Sequence, residues 1–292
     1  MTSAKRAELL ARAMLIEDLL RQEKSIHHIL DKSIFRVREA MERIFERRSF
    51  DNLDERFLEY MLQFDDMLAA EINELLIRCI EVGLEAGSLQ CTLITKEVLL
   101  KNKIPVKPLL VVQQRANQRA VEAAMSRQLR GLNLSDRIWN TAKKVNNSLG
   151  QIAIDGIRQG KHPVEVAKNM QRYVKAGKKT MVTEYPDMMD RIGDMLPDNL
   201  SYEALRLART EMASAYGEAE KRTAEEAPFS KGIRWAVSNA GVACWVCKNN
   251  AETITDLGKG VYTVSTLPEY PAHPNCLCNL QQVVEDLTEY AR

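Results

Sequence analysis

Four of the six cysteines lie in the last fifth of the chain, in two groups with the spacing of metal ligands. Cys244 and Cys247 form a C-x-x-C pair, and the second group reads His273-Pro-Asn-Cys276-Leu-Cys278. Two thiolates at C-x-x-C spacing can bind one metal from a single turn, and soft thiolates with one imidazole favour zinc over magnesium or calcium. A tetrahedral structural zinc needs only four of these five candidate ligands. The sequence therefore predicts a structural Zn²⁺ site and leaves open which four side chains bind.

Three other interpretations of these cysteines compete with zinc. A disulfide is disfavoured in a reducing cytosol, which we expect because residues 1–20 are rich in charge and lack the apolar core of a secretory signal. A thioredoxin-type redox site would place C-x-x-C at a helix start in a βαβ unit, whereas the residues around Cys244 and Cys247 are predicted to form strand and loop. The third alternative is a set of buried thiols without metal. Two clusters at ligand spacing, together with a histidine, favour the metal.

Catalytic motifs are mostly missing from the sequence, which contains no G-x-G-x-x-G, P-loop, H-E-x-x-H or G-x-S-x-G pattern. His27 and His28 lie on a predicted N-terminal helix beside no pair of carboxylates, and we expect them to face solvent. His162 precedes Pro163 at a predicted helix start, where it is expected to cap the helix. No residue is identified as a nucleophile, and we expect the chain not to be an enzyme.

The charge of the chain is unevenly distributed. The formal net charge is +1, yet residues 101–180 carry 17 basic and four acidic side chains, a net charge of +13. Such a segment is expected to meet an anionic partner, either nucleic acid or an acidic protein surface. An equally weighted alternative is a basic face that packs against the acidic flanks of the same chain. The candidate contact residues are Lys143, Lys144, Lys161, Lys168, Arg172, Lys175, Lys178 and Lys179.

The elements that must position these side chains are predicted to be mostly helical. In the first hundred residues, apolar side chains recur at helical spacing, with few breakers before Gly83 and Gly87. Cys79 belongs to one of these stripes and is predicted to be a small buried core residue, as is Cys91. The three stripes are Leu9, Ala13, Ile16 and Leu20; Ile34, Val37, Met41 and Ile44; and Phe57, Met61, Phe64, Leu68, Ile72, Leu75, Cys79 and Val82.

The middle of the chain continues as shorter helices. Pro105 and Pro108 predict a break after the first hundred residues. Helical patterning then extends from 111 to 130, and a further helix is expected to be capped by Ser135. On the helix that begins at Pro163, the basic residues Lys168, Arg172, Lys175 and Lys179 share one face if the helix continues past Gly177.

In the last third of the chain, the predicted secondary structure changes from helices to one helix followed by short strands. A helix is predicted from Ser201 to about Glu226, with small side chains that allow a neighbouring element to approach closely. Strands are predicted at 232–237, 261–264 and 281–284. The expected fold is mainly α, with long N-terminal helices followed by a smaller α+β C-terminal domain that contains a zinc-knuckle-like module.

Length and composition agree with this organisation. A chain of 292 residues, 45% of them apolar and 28% charged, is typical of a globular protein with about two domains. No apolar run approaches the ~18 residues that a membrane-spanning helix needs. We assign residues 1–109 to an N-terminal helical docking region and 110–200 to a basic helical region. Residues 201–292 form the α+β module with the Cys/His cluster.

Four of these features, in their order along the chain, resemble the phage head morphogenesis family, which is named for the F-type minor head protein of phage Mu. The features are Leu207-Ala-Arg209-Thr210-Glu211 on a helix, Ile233-Arg-Trp235 on a strand, Cys244-x-x-Cys247, and His273-Pro-Asn-Cys276-x-Cys278. Residues 154–160, with the proline-initiated helix after them, look like the start of that family's domain. The resemblance covers roughly residues 149–280.

The resemblance implies a minor capsid protein of a tailed phage, present in few copies inside the virus head. Proteins of this family associate with the portal ring and are linked to head assembly, DNA packaging or genome delivery. The expected partners are the portal protein, the phage DNA and the major capsid protein, with several copies around the portal and no membrane. The expected location is the virion, inside the capsid near the portal, after assembly in the host cytoplasm.

The chain departs from the family pattern at two places. The stretch 238–242 lacks the acidic residue that often precedes the C-x-x-C pair, and Leu277 replaces an arginine. The family domain has also been likened to ADP-ribosyltransferases, in which Arg209 would bind NAD, but Glu252 and Glu269 match the required catalytic glutamate poorly. We expect Arg209 to form a structural ion pair. The alternative functions are a zinc-stabilised DNA-binding protein, an ADP-ribosyltransferase-like enzyme and a zinc-dependent nuclease.

Overall fold

A computed structural model of the chain describes residues 3–46, 53–101, 103, 107–227, 229–238 and 243–284. The described part is mainly helical, with a small sheet region near its C-terminal end, which confirms the predicted mainly α class. The helices are α1 (Ser3–Glu46), α2 (Leu53–Lys101), α3 (Lys107–Ser126), α4 (Leu134–Arg158), α5 (Pro163–Ala176), a 3₁₀ turn (Lys178–Thr180), α6 (Met181–Glu184), α7 (Pro186–Ile192), α8 (Leu200–Glu226) and α9 (Trp245–Glu252). The strands are β1 (Ser230–Ala236), β2 (Ile254–Thr255), β3 (Gly258–Lys259), β4 (Val261–Tyr262) and β5 (Asn279–Val284).

The chain divides into two compact units, each assembled from separate stretches of sequence. The first unit contains residues 1–20, 76–127 and 208–292, and the second contains 21–75 and 128–207. The contiguous segments 1–109, 110–200 and 201–292 do not coincide with these units, because α1, α2 and α8 each contribute residues to both. None of the helices in the described ranges is long and apolar enough to cross a membrane.

The burial of the long helices matches two of the three predicted stripes. Most residues of the second and third stripes are buried, among them Cys79, which is 1% exposed. The first stripe is exposed instead, since Leu9, Ile16 and Leu20 are 46%, 57% and 61% exposed. The side chain of Cys91 lies outside the described residues.

The most deeply buried side chains of α1 in the first unit are small. Ala7 and Ala11 are fully buried, and Ala11 belongs to the core cluster of that unit. Alanine gives a weak hydrophobic signal in a sequence but lets a helix approach its neighbours closely. The larger apolar side chains of the predicted stripe therefore point outward.

In the first unit, α2 and α8 pack at close range. A Cβ added to Gly83 would lie 3.1 Å from the Ala215 Cβ, and one added to Gly87 would lie 2.8 Å from the Ala219 Cβ. Two glycines one helical turn apart thus face two alanines with the same spacing. The predicted role of the small residues on α8 is confirmed, and α2 continues through both glycines to Lys101.

The three predicted strands form one antiparallel sheet in the order β4-β1-β5. In its register Ile233 pairs with Tyr262 on one side and Trp235 pairs with Leu280 on the other. A separate two-stranded hairpin, β2–β3, was not predicted. Its strands contain two residues each, too few for a period of two to be recognised. The short strands leave long connections, and these carry the cysteines and the histidine.

In the second unit, the short helices begin and end at residues with identifiable capping roles. His162 is the N-cap of α5 and its Nδ1 accepts a hydrogen bond from the Val164 amide at 3.3 Å, which confirms the predicted cap. Gly177, with φ of 84°, ends α5. The N-cap of α4 is Asn133 and not Ser135, and the Asp136 carboxylate accepts from the Asn133 amide at 3.0 Å. The helix before it, α3, ends at Ser126, four residues earlier than predicted.

Candidate metal centre

The C-x-x-C pair lies at the beginning of a helix. Cys244 is the N-cap of α9, and its Sγ accepts a hydrogen bond from the Cys247 amide at 3.4 Å. Strand and loop were predicted on both sides of this pair, and the prediction is wrong for the residues that follow Cys244. A helix start does suit a redox C-x-x-C. The flanking strands β1 and β4 pair antiparallel, however, and so do not form the βαβ unit of a thioredoxin-type site.

The second ligand group lies on the connection between β4 and β5. Asn275 has a φ of +61° and turns the chain between His273 and Cys276, so that the Cys276 amide donates to the His273 carbonyl at 3.2 Å. This turn is held by the helix α8, because the Asn275 amide donates to Thr210 Oγ1 at 3.2 Å. Cys278 directly precedes β5.

The folded chain brings all five predicted ligands together. Ligand atoms of Cys244, Cys247 and His273 lie within 4.8 Å of one another, and so do those of Cys247, Cys276 and Cys278. Cys247 belongs to both groups and is therefore the centre of the cluster. All these residues lie in the first unit.

The distances around Cys247 fit a tetrahedral zinc site. With Zn–S bonds near 2.3 Å and Zn–N bonds near 2.0 Å, two sulfurs in a tetrahedral site should be about 3.8 Å apart, and a sulfur and a nitrogen about 3.5 Å. The Cys247 Sγ lies 3.6 Å from the Cys276 Sγ and 3.5 Å from the His273 Nε2. Two of the separations that a tetrahedral site requires are thus present around Cys247, and the cluster could hold a metal ion.

The histidine is prepared for coordination through Nε2. Its Nδ1 lies 2.9 Å from the carbonyl oxygen of Pro274. Because a carbonyl oxygen can only accept, Nδ1 carries the proton, which leaves the lone pair of the neutral imidazole on Nε2. A backbone carbonyl that fixes the tautomer in this way is a common second partner of metal-bound histidines. The lone pair on Nε2 faces the Cys247 thiol.

The thiols of the cluster have unequal proton affinities. The Cys247 amide and its position at the start of α9 lower the pKa of Cys244. Burial raises the pKa of Cys247. The hydrogen bond between Cys276 and Cys278 raises the pKa of Cys276 and lowers that of Cys278. Since a metal binds thiolates, metal binding here is expected to release protons.

An aromatic core lies directly beneath the ligands. Trp235 and Tyr270 are both buried and pack edge to face, with ring centroids 5.4 Å apart. The Tyr270 hydroxyl donates to the Cys278 carbonyl at 2.6 Å, and the Tyr216 hydroxyl of α8 donates to the Leu280 carbonyl at 2.7 Å. Two tyrosine hydroxyls thus fix the backbone that carries the last ligand.

The A-R-T-E run lies on α8, beside the second ligand group. Glu211, 2% exposed, pairs with Arg127 at 3.5 Å. No ion pair of Arg209 is seen among the described residues, and its Nε is buried there without a hydrogen-bond partner. Glu252 is the last residue of α9, and Glu269 lies on the connection after β4, so neither is on a strand.

The eight predicted basic contact residues lie in the second unit, and four of them pair with carboxylates there. Lys161 and Arg172 both reach Glu184, at 3.3 and 2.9 Å, and Lys178 reaches Asp198 at 2.9 Å. The fourth pair joins Lys144 to Glu203 at 3.3 Å. The other four are exposed: Lys143, Lys168, Lys175 and Lys179.

The predicted continuous basic face on α5 is wrong in one respect. The helix ends at Ala176, and Lys179 lies on the following 3₁₀ turn. The positive φ of Gly177 changes the direction of the chain between them. Lys168 and Lys175 remain on one helix.

Sequence reasoning named the five candidate ligands but missed the residues that hold them in place. Thr210 and Tyr270 anchor the second ligand group through hydrogen bonds to the chain around it. The only sequence signal for Thr210 was its place in the A-R-T-E run. Residues 239–242, where one departure from the family pattern was noted, lie outside the described residues.

No protein-family model, no curated protein and no solved structure matches the chain.

Proposed function

We propose that this chain is a minor capsid, or head morphogenesis, protein of a tailed phage. It would associate with the portal inside the head and assist assembly, DNA packaging or genome delivery. The observation that carries the proposal is the convergence of four separated sequence features in one module. The A-R-T-E helix, the tryptophan strand and both Cys/His groups contribute to that module, in which Trp235, Cys247 and Cys276 share one core cluster. If the four features resembled the family only by chance, there would be no reason for them to lie together in one folded module.

We further propose that the Cys/His cluster binds a structural Zn²⁺ ion. The four cysteines and His273 would supply its ligands, and the bound ion would supply folding free energy, which can reach an apparent ~10–16 kcal/mol in small zinc modules. What supports a structural role is the ligand set, because thiolates and one imidazole can fill all four positions. A hydrolytic site would need an open position for water.

The N-terminal part of α1 is the proposed docking element. Leu9, Ile16 and Leu20 recur at helical spacing, and all three are largely exposed. Exposed apolar side chains on one helix face are typical of protein interfaces. We propose that this face binds the portal, and that the alanine face of the same helix stays in the core.

The exposed lysines are the proposed contacts to DNA or to an acidic surface of the portal. Lys143, Lys168, Lys175 and Lys179 have no ion-pair partner within the described ranges. The four other candidates already pair with the chain's own carboxylates. This division favours a modest electrostatic contact over a DNA-binding protein whose whole affinity depends on the basic segment.

Quantitative mass spectrometry of purified heads tests the proposed function. We expect a few to a dozen copies of this chain for each portal ring. Heads assembled with the variant Ile16→Asp should contain fewer copies, whereas Leu62→Asp, at an equally exposed leucine of α2, should leave the number unchanged. Absence of the chain from both assembling and mature heads would refute the proposal.

A further inference from the structure

We infer that α8 holds the second ligand group in place through Thr210, which makes Thr210 a positioning residue of the metal centre although it binds no metal. The inference rests on the proposed zinc site and goes beyond it. Thr210 is 5% exposed, and its Oγ1 accepts from the Asn275 amide at 3.2 Å. This bond joins α8 to the turn that separates two candidate ligands.

The turn at Asn275 needs external support. A φ of +61° is unfavourable for a residue other than glycine, although asparagine tolerates it better than most. The turn brings the Cys276 amide to the His273 carbonyl and so sets the separation of these two ligands. Without the Thr210 bond, the Asn275 amide would lose this hydrogen bond and the turn could relax toward negative φ.

A second contact from the same helix supports the other end of the ligand group. A Cβ added to Gly217 would lie 2.9 Å from Cε1 of the Tyr270 ring. Any larger residue at this position would therefore displace the ring. The Tyr270 hydroxyl in turn holds the Cys278 carbonyl. Thr210 and Gly217 are seven residues apart, which places them on one face of α8, two turns apart. One helix face thus positions His273, Cys276 and Cys278.

The effect on metal binding should be large enough to measure. Loss of a residue that orients metal ligands typically lowers metal affinity 10–100-fold. Thr210→Val keeps the shape of the side chain and removes the hydroxyl, so we expect a 10–100-fold lower zinc affinity. Thr210→Ser keeps the hydroxyl and should restore affinity to within about threefold of the unaltered protein.

Thr223 provides the matched control. It lies on the same helix, is 3% exposed, and its hydroxyl donates to the Ala219 carbonyl at 2.6 Å within the helix. Thr223→Val therefore removes a buried hydroxyl that does not touch the ligand loop. Its zinc affinity should equal that of the unaltered protein, even if its stability falls.

The experiment is a zinc competition titration of the full chain against a chromophoric chelator, for all three variants and the unaltered protein. Cobalt absorption spectra of the same samples report ligand geometry separately from folding. Gly217→Ala should also weaken binding, which gives a second variant if Thr210→Val folds poorly. Equal zinc affinity of Thr210→Val and Thr223→Val would overturn the inference and leave the zinc site standing. No stoichiometric zinc binding by the unaltered protein would overturn both.

Discussion

Replacing Gly87 with alanine measures how closely α2 and α8 are packed. The new Cβ would lie 2.6 Å from the Tyr216 carbonyl oxygen and 2.8 Å from the Ala219 Cβ. Neither obstacle can rotate away, because one is helix backbone and the other is attached directly to it, so the helices must separate. Overpacking of this kind costs about 1–3 kcal/mol, while glycine to alanine in a helix interior gains about 0.5–1 kcal/mol. We expect a net loss of about 1–2 kcal/mol in the free energy of unfolding.

Gly150→Ala is the control for this substitution. On α4, the nearest atom to an added Cβ is the Met61 Cγ at 3.9 Å, an ordinary contact. This variant should therefore gain about 0.5–1 kcal/mol from helix propensity alone. Urea unfolding followed by circular dichroism gives the total change, and native-state hydrogen exchange shows which of the two units is affected. Equal stabilisation by both alanines would refute the close approach of α2 and α8.

Three further predictions concern the cluster, a buried acid and the exposed lysines. Cys247→Ser should unfold the C-terminal module and abolish zinc binding, whereas Cys79→Ala should cost only about 1 kcal/mol; near-ultraviolet circular dichroism and metal analysis distinguish the two. Burial raises the pKa of Glu220 well above its ordinary value of 4.5. Stability conferred by protonated Glu220 is therefore complete below pH 4.5 and is lost as pH rises toward the native pKa, by up to about 1.4 kcal/mol per pH unit. Urea unfolding at several pH values should show this slope in the unaltered protein and not in Glu220→Gln. If the basic segment binds DNA, Lys168→Gln should reduce the slope of log affinity against log salt by about 0.9, and Lys178→Gln, whose ammonium already pairs with a carboxylate, should not.

Periodicity in the sequence was sufficient to predict most of the elements. The second and third apolar stripes mark the buried faces of α1 and α2, and alternation marks β1 and the positions of β4 and β5. The exception is the first stripe, where the periodic pattern correctly predicted a helix but marks an exposed face. An apolar stripe predicts that one face of a helix will be covered. The sequence pattern does not show whether that face is covered by the same chain or by a partner protein. The proposed portal contact of Leu9, Ile16 and Leu20 follows from that distinction.

The cysteine spacing predicted the ligands, because C-x-x-C and the histidine group each bring their members together locally. It could not predict which elements join the two groups, since that depends on contacts between residues far apart in the chain. Thr210 and Asn275 are separated by 65 positions, and their hydrogen bond has no counterpart in any local pattern.

The position of α8 sets the position of the second ligand group, because Thr210 and Gly217 of this helix both contact the loop that carries it. A change of helix position by one residue would move Thr210 away from the Asn275 turn and Gly217 away from the Tyr270 ring at once. Both contacts come from the helix that packs closely against α2, where Gly83 and Gly87 face Ala215 and Ala219. A substitution that separates these helices should therefore lower zinc affinity from a distance, in proportion to the shift of α8. Gly87→Ala, measured in the same zinc competition titration, should bind more weakly than Gly150→Ala; equal affinities would mean that the ligand loop keeps its geometry independently of helix packing.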